Sequence, residues 1–280
     1  MSFAQLNYRL PMGLLIFAGV LAAAKWLPLG GLVLILMVLV SIGMLEFYAM
    51  LDRARTPNFK IVGVLGGLLM VLATGLWGGQ GRHPEILVLY AVIAAVFLRQ
   101  FPQKNNPQPL ETISGTLMGV LYGAFLLNFI TRMLIEWPGV DGRLLVLYLV
   151  VVVKVSDVGA FFIGCSCGRH KLIPRISPAK SWEGCFGGML FSVVGSLIFR
   201  WLAEGHWSVI RITIADAVGL GVFLAVMGIA GDLTESLFKR AAGVKDSGRI
   251  ILGMGGLLDV LDSLLFAAPA LYAYAQFFLK

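Results

Sequence analysis

The chain has 280 residues, 59% of them hydrophobic and 13% charged, with a formal net charge of +7. A soluble domain is about 25% charged, so this composition excludes one. The period-two alternation of a lipid-spanning β-barrel is also absent, which leaves an all-α polytopic membrane protein with its backbone satisfied inside helices.

Apolar runs of about 20 residues read as membrane spans. In chain order they fall near 10–27, 29–51, 60–79, 85–100, 112–135, 143–164, 183–203, 211–238 and 255–278, predicting about nine transmembrane helices. The first, LPMGLLIFAGVLAAAKW, ends in small residues as a signal peptide does. With eight spans behind it, we read it as an uncleaved helix. Gly63 and Gly67, like Gly115, Gly119 and Gly123, stand four apart. That spacing lets helices approach closely in lipid. FPQKNNPQPLE is a polar, Pro- and Asn-rich connector.

Nine spans distribute the Lys and Arg residues unequally. One side carries fourteen: Arg9, Arg53, Arg55, Lys60, Arg99, Lys104, Arg169, Lys171, Arg175, Lys180, Lys239, Arg240, Lys245 and Arg249. The other carries seven in its loops: Lys25, Arg82, Arg132, Arg143, Arg200, Arg211 and Lys280. The richer side is expected in the cytoplasm. Its basic loops suit anionic lipid headgroups or anionic substrates. Cys165, Cys167 and Cys185 have neither zinc nor redox spacing and are expected as small packing residues. His83, His170 and His206 stand singly, without a second His at ligand spacing.

Charges inside the spans carry the chemical information. Each costs roughly 2.5–3.5 kcal/mol at mid-bilayer on insertion scales, so it faces a partner or a wet cavity. Lys154 and Asp157 lie three apart on one helix face and can pair. Asp232, Glu235, Ser236 and Lys239 form one polar stripe on an apolar helix. The loop AAGVKDSGR brings Lys245, Asp246 and Arg249, and GMGGLLDVLD brings Asp259 and Asp262, again on a shared face. Carboxylates without His or Cys are hard oxygen ligands that suit Mg²⁺. Acids, a metal and bases together are the equipment of phosphoryl or nucleotidyl transfer. The loop GRHKLIPRISPAKSWEG enters a helix at Glu183 and Gly184. Backbone amides there, with Lys180 and Ser181, suit a triphosphate, although the P-loop pattern is missing. The same buried acids, with Lys154, would also serve a cation-coupled transporter. That reading leaves the basic Ser-Pro loop unexplained.

The run SLFKRAAGVKDSGRIILGMGGLLDVLD, residues 236–262, resembles the signature of the CDP-diacylglycerol synthase (phosphatidate cytidylyltransferase) family. The upstream run SDVGAFFIGCSCGRHKLIPRISPAKSWEG is similar to a second segment of that family, in the right order. The resemblance covers the C-terminal half. It implies one integral membrane domain, with N-terminal helices in 1–110 and catalytic helices and loops in 111–280. The implied active-site cavity is formed by the C-terminal helices and cytoplasmic loops. The implied reaction joins the phosphate of phosphatidic acid to the α-phosphorus of CTP, with Mg²⁺ and a possible second cation, releasing pyrophosphate. A homodimer in a bacterial inner membrane, in contact with lipid and binding no nucleic acid, is also implied. Asp232 and Asp259 match the metal-binding acids. Lys239, Arg240, Lys245 and Asp246 match the catalytic signature. Lys171, Ser177, Pro178, Lys180, Ser181 and Glu183 fall in the upstream motif, with Lys154, Asp157 and Arg249 as further substrate-binding candidates. Two positions depart: Met254 stands for the signature's His, and Val260 for its Arg. The phosphates are then held by other cations, or activity is reduced, or the lipid phosphate differs.

Overall fold

The computed structural model describes residues 3–79, 81–104, 106–137, 139–251 and 255–279. Its helices are α1 (Phe3–Trp26), α2 (Leu29–Arg53), α3 (Lys60–Trp77), α4 (Pro84–Gln100), α5 (Pro109–Gly119), α6 (Leu126–Glu136), α7 (Val140–Cys167), α8 (Trp182–Ala203), α9 (Ile214–Ala241) and α10 (Leu258–Phe278). A π-helical turn, Val120–Phe125, carries α5 into α6 without a break. Residues 109–136 are thus one span, and the described residues form nine continuous helices. Seven are long and apolar enough to cross a bilayer. α4 is shorter, at 17 residues, and the apolar helical stretch of α1 is Leu15–Trp26. Proline opens α4 and α5, where its missing N–H is no loss and its fixed φ suits a helix.

The fold is all-α and polytopic, with bounds close to those expected. Two differences have physical causes. The connector 168–184, expected as a loop, folds into an antiparallel hairpin of β1 (Lys171–Ile173) and β2 (Ser177–Ser181). α10 begins at Leu258, not near 255, because Gly255 takes a φ of 104° that a helix cannot contain.

The outer row of α8 shows what lipid contact looks like. Trp182, Phe186, Leu190, Val194, Ile198 and Trp201 are all exposed. A helix rises 1.5 Å per residue, so the two tryptophans stand about 28 Å apart, near the thickness of a bilayer's hydrocarbon core. Indole rings at both ends fit the two interfaces.

The chain packs as two compact units, residues 1–136 with 241–261, and residues 137–240 with 262–280. In the first unit Tyr48 is fully buried, and side chains at Gly63 and Gly119 would run into its ring. Its hydroxyl donates to the Thr116 carbonyl at 2.8 Å. Glycine spacing here serves close helix packing, as expected. Arg132, expected among the loop cations, lies instead inside α6 and is 1% exposed. Its guanidinium pairs with Glu136 at 2.9 Å and Glu85 at 3.4 Å. It also meets the His83 ring and donates to the carbonyls of Gly78 and Arg82. This one side chain ties the α3–α4 turn to α6.

In the second unit, Asp141 at the start of α7 accepts from the amides of Ser208, Val209 and Ile210 and pins the α8–α9 connector. Of the three cysteines only Cys185 is buried; Cys165 and Cys167 are exposed on α7, so packing does not account for them. A side chain at Gly231 would strike the backbone of Asp262. α9 and α10 therefore approach backbone to backbone, beside Asp232.

Candidate active site

In the second unit, α7, α9, α10 and the hairpin carry a cluster of charged side chains. Lys154 Nζ lies 3.1 Å from Asp157 Oδ2 and 2.8 Å from Ser263 Oγ. Ser263 Oγ is in turn 3.1 Å from Asp157 Oδ2, which closes a three-membered ring of polar contacts. The expected Lys154–Asp157 pair is present, with a serine from α10 that sequence spacing did not reveal. Asp262 is buried and lies within electrostatic reach of Asp232, Lys154 and Asp157. Lys180, at the end of β2, reaches Asp232 Oδ2 at 2.8 Å. Ser236, one turn along α9, meets Asp232 Oδ1 at 3.3 Å. The polar stripe on α9 is real: Glu235 and Lys239 pair at 2.5 Å, with the Glu235 side chain fully buried.

Other predicted site residues hold the hairpin. Arg240 Nε donates to the Ile176 carbonyl at 3.3 Å, at the hairpin turn. Ser181 is the N-cap of α8 and accepts from the Gly184 amide at 3.2 Å. Glu183 accepts from the His170 amide and faces its Nδ1 at 2.6 Å. Ser177 pairs with Ile173, and Lys171 with Ser181, across the strands. Arg169, His170, Lys171, Trp182, Glu183 and Phe186 line an open groove at the foot of α8. Cations and aromatic faces thus share one rim.

In the first unit, three donors converge on one oxygen, Asp259 Oδ2: the Gly256 amide at 2.7 Å, the Ser247 hydroxyl at 2.9 Å and the Ser247 amide at 3.0 Å. A Cβ on Gly255 would sit 2.6 Å from that oxygen and 3.3 Å from the Asp246 Cβ. Lys245, Asp246 and Arg249 are exposed on the same segment. Ile251 and Gly255 exchange backbone hydrogen bonds. Met254, with Leu252 and Gly253, lies outside the described residues. Glu46 of α2 is buried against the same segment. Glu46 is, like Lys154 and Asp232, a charge inside an apolar span, and that is the signal that marks it in the sequence.

Mg²⁺ binds one or two carboxylates with waters and substrate phosphates. Taken each within its own unit, Asp232 and Asp259 offer hard oxygens, Asp232 in contact with Lys180 and Asp259 held through one oxygen. Among the described residues no group of three or more His, Cys, Asp or Glu is placed to hold a metal by itself. An ion at either acid would need phosphate and water oxygens to complete its shell.

The description of one family model, the cytidylyltransferase family, matches this chain over residues 8–278. The chain belongs to that family. A phosphatidate cytidylyltransferase of Haemophilus influenzae is 36% identical over 214 residues, covering 75% of this chain and 69% of its own length. One from Staphylococcus epidermidis is 32% identical over 262 residues, covering 90% and 94%. An uncharacterized protein of Escherichia coli, YnbB, is 29% identical over 267 residues, covering 93% and 83%. Membership in a cytidylyltransferase family suits the charge inventory: buried carboxylates, bound lysines and exposed loop cations in a membrane-spanning chain.

Proposed function

We propose that this protein is a membrane-embedded nucleotidyltransferase that makes CDP-diacylglycerol and pyrophosphate from CTP and phosphatidic acid. A lipid-phosphate oxygen forms a bond to the α-phosphorus of CTP, and the bond from that phosphorus to the pyrophosphate oxygen breaks. The observation that carries the reading is the agreement between family and chemistry. A chain matched over nearly its whole length by a cytidylyltransferase family keeps Asp232, Lys239, Arg240, Lys245, Asp246 and Asp259 at the signature positions, among apolar helices.

The roles follow from what each side chain can do. Asp232 and Asp259 are assigned to Mg²⁺ by the signature. A divalent ion held there would neutralise phosphate oxygens and so favour departure of pyrophosphate. Lys245 and Arg249, exposed, are suited to the triphosphate. Lys171 and Arg169, beside Trp182 and Phe186, are suited to a lipid headgroup at the interface. Lys180 holds the Asp232 carboxylate until substrate arrives. Lys154 and Asp157 keep the helix faces polar and wet. Arg240 and Ser181 fix the hairpin. The positive-side count supports a cytoplasmic side for these loops, and we assign the protein to a bacterial inner membrane as a homodimer.

A second reading keeps the chemistry and changes the lipid. Val260 removes one cation from the signature, which favours a lipid phosphate needing fewer charges. The test is purified protein with CTP, Mg²⁺ and a panel of lipid phosphates. Pyrophosphate release with phosphatidic acid supports the first reading, and release only with another lipid phosphate supports the second. No pyrophosphate with any of them overturns both. Ion-driven flux in liposomes without nucleotide would turn the assignment to a transporter.

A further inference from the structure

Glu46 is a buried carboxylate in the middle of an apolar membrane helix, 6% exposed. None of the ion pairs among the described residues involves it. Its contacts are neutral donors from a segment two hundred residues away in sequence. Oε2 accepts from the Leu258 amide at 2.7 Å, and Oε1 from the Leu257 amide at 3.0 Å. Ser247 Oγ lies 3.3 Å from Oε2. The two amides belong to the start of α10, where N–H groups have no partner within the helix and the helix end is electropositive.

A cap alone does not require this arrangement, since a local Ser, Thr, Asp or Asn does that work. Glu46 instead shares Ser247 with Asp259. The Ser247 hydroxyl lies between Glu46 Oε2 and Asp259 Oδ2, and its amide donates to Asp259. Gly256 also donates to Asp259, and a side chain there would meet both Ser247 Oγ and Glu46. Gly248 is likewise pressed against the Glu46 carboxyl. The two acids thus hold the same two stretches of chain, 247–248 and 256–258.

We propose that Glu46 is a positioning residue for the transfer reaction: it fixes residues 247–248 and 256–258 and, through Ser247, the Asp259 carboxylate. The inference rests on the functional reading of Asp259 given above. Glu46→Gln keeps the volume and removes one acceptor. It is expected to lower kcat by about 10- to 100-fold, the scale of a misplaced catalytic group, with KM for CTP changed less than about twofold. Trypsin should cut the ligand-free variant after Lys245 or Arg249 faster than the wild type. Glu46→Gln combined with Ser247→Ala should be clearly less harmful than the product of the two single effects, as for residues acting through one contact. Glu46→Asp, which keeps the charge but falls one methylene short, should move all readouts in the same direction and serves if the Gln variant does not fold. Wild-type kcat, an unchanged tryptic rate, or fully multiplicative effects in the double variant would each overturn the proposal. If the wild type shows no transfer, the functional reading fails, and the tryptic rate still tests whether Glu46 holds these two stretches.

Discussion

Asp259 and Asp232 are the two acids proposed for the metal, and the chain holds them in opposite ways. Asp259 is gripped through one oxygen by two backbone amides and a hydroxyl, backed by the buried Glu46. Asp232 is held by the flexible Lys180 and by Ser236. Backbone donors give a fixed position and no net countercharge. A lysine gives countercharge at the end of four rotatable bonds and can be drawn away by a phosphate. The first arrangement suits a group that must be in place before substrate arrives. The second suits a group released when substrate supplies its own charges.

Substitutions can break this contrast at different depths. The largest effect is expected from Asp259→Asn, which sets an amide N–H₂ or a weakened carbonyl against three donors. Turnover should fall by at least about 100-fold, the scale for losing a preorganised electrostatic group; lipid product formed per minute checks it, and near-normal turnover would remove Asp259 from the centre. Next is Glu235→Gln, which takes the negative charge out of the buried Glu235–Lys239 pair. Removing one partner of a buried pair costs about 3–5 kcal/mol, so the thermal midpoint in detergent should drop sharply. Adding Lys239→Met should recover much of that stability, though not activity. Lys180→Gln should be milder, lowering kcat/KM for CTP by about tenfold, or about 1.4 kcal/mol, because Asp232 then waits unpaired. An unaltered CTP dependence would mean that Lys180 is not displaced during the cycle. Smallest is Asp52→Asn. The Lys60–Asp52 pair at 3.4 Å is about half exposed on both sides, and exposed pairs contribute about 0–1 kcal/mol. The thermal midpoint should barely move, giving the baseline for the buried pairs.

The membrane topology was legible in the sequence because hydropathy is a local signal: each span reports itself. The i,i+3 and i,i+4 pairs Lys154–Asp157 and Glu235–Lys239 were legible for the same reason, since helical spacing dictates them. What joins distant segments was not. Nothing in the sequence says that Ser263 completes the Lys154 ring, or that Lys180 leaves its own hairpin to hold Asp232. The hairpin itself hid in a charged, Pro-containing connector with strands of three and five residues. Glu46 and Arg132 were visible as lone charges in apolar runs. Their partners come from chain turns that no periodicity connects to them, so spacing alone could not assign them a task.

The natural cysteines test orientation. Cys165 and Cys167 are exposed at the end of α7 next to the hairpin. A membrane-impermeant maleimide should label them in inverted vesicles and leave them unlabelled in intact cells. The reverse pattern would put the charged loops on the wrong side for cytoplasmic CTP.

The proposed cytidylyl transfer to a lipid phosphate, with Asp259 fixed for it, leaves the α-phosphorus of CTP in the lipid. It is tested most directly by CTP labelled at its α-phosphate, incubated with purified protein, Mg²⁺ and phosphatidic acid, followed by solvent extraction of the lipid. Label should enter the lipid fraction with the wild type and be nearly absent with Asp259→Asn. Label in the lipid with both, or with neither when every lipid phosphate has been tried, would contradict the account.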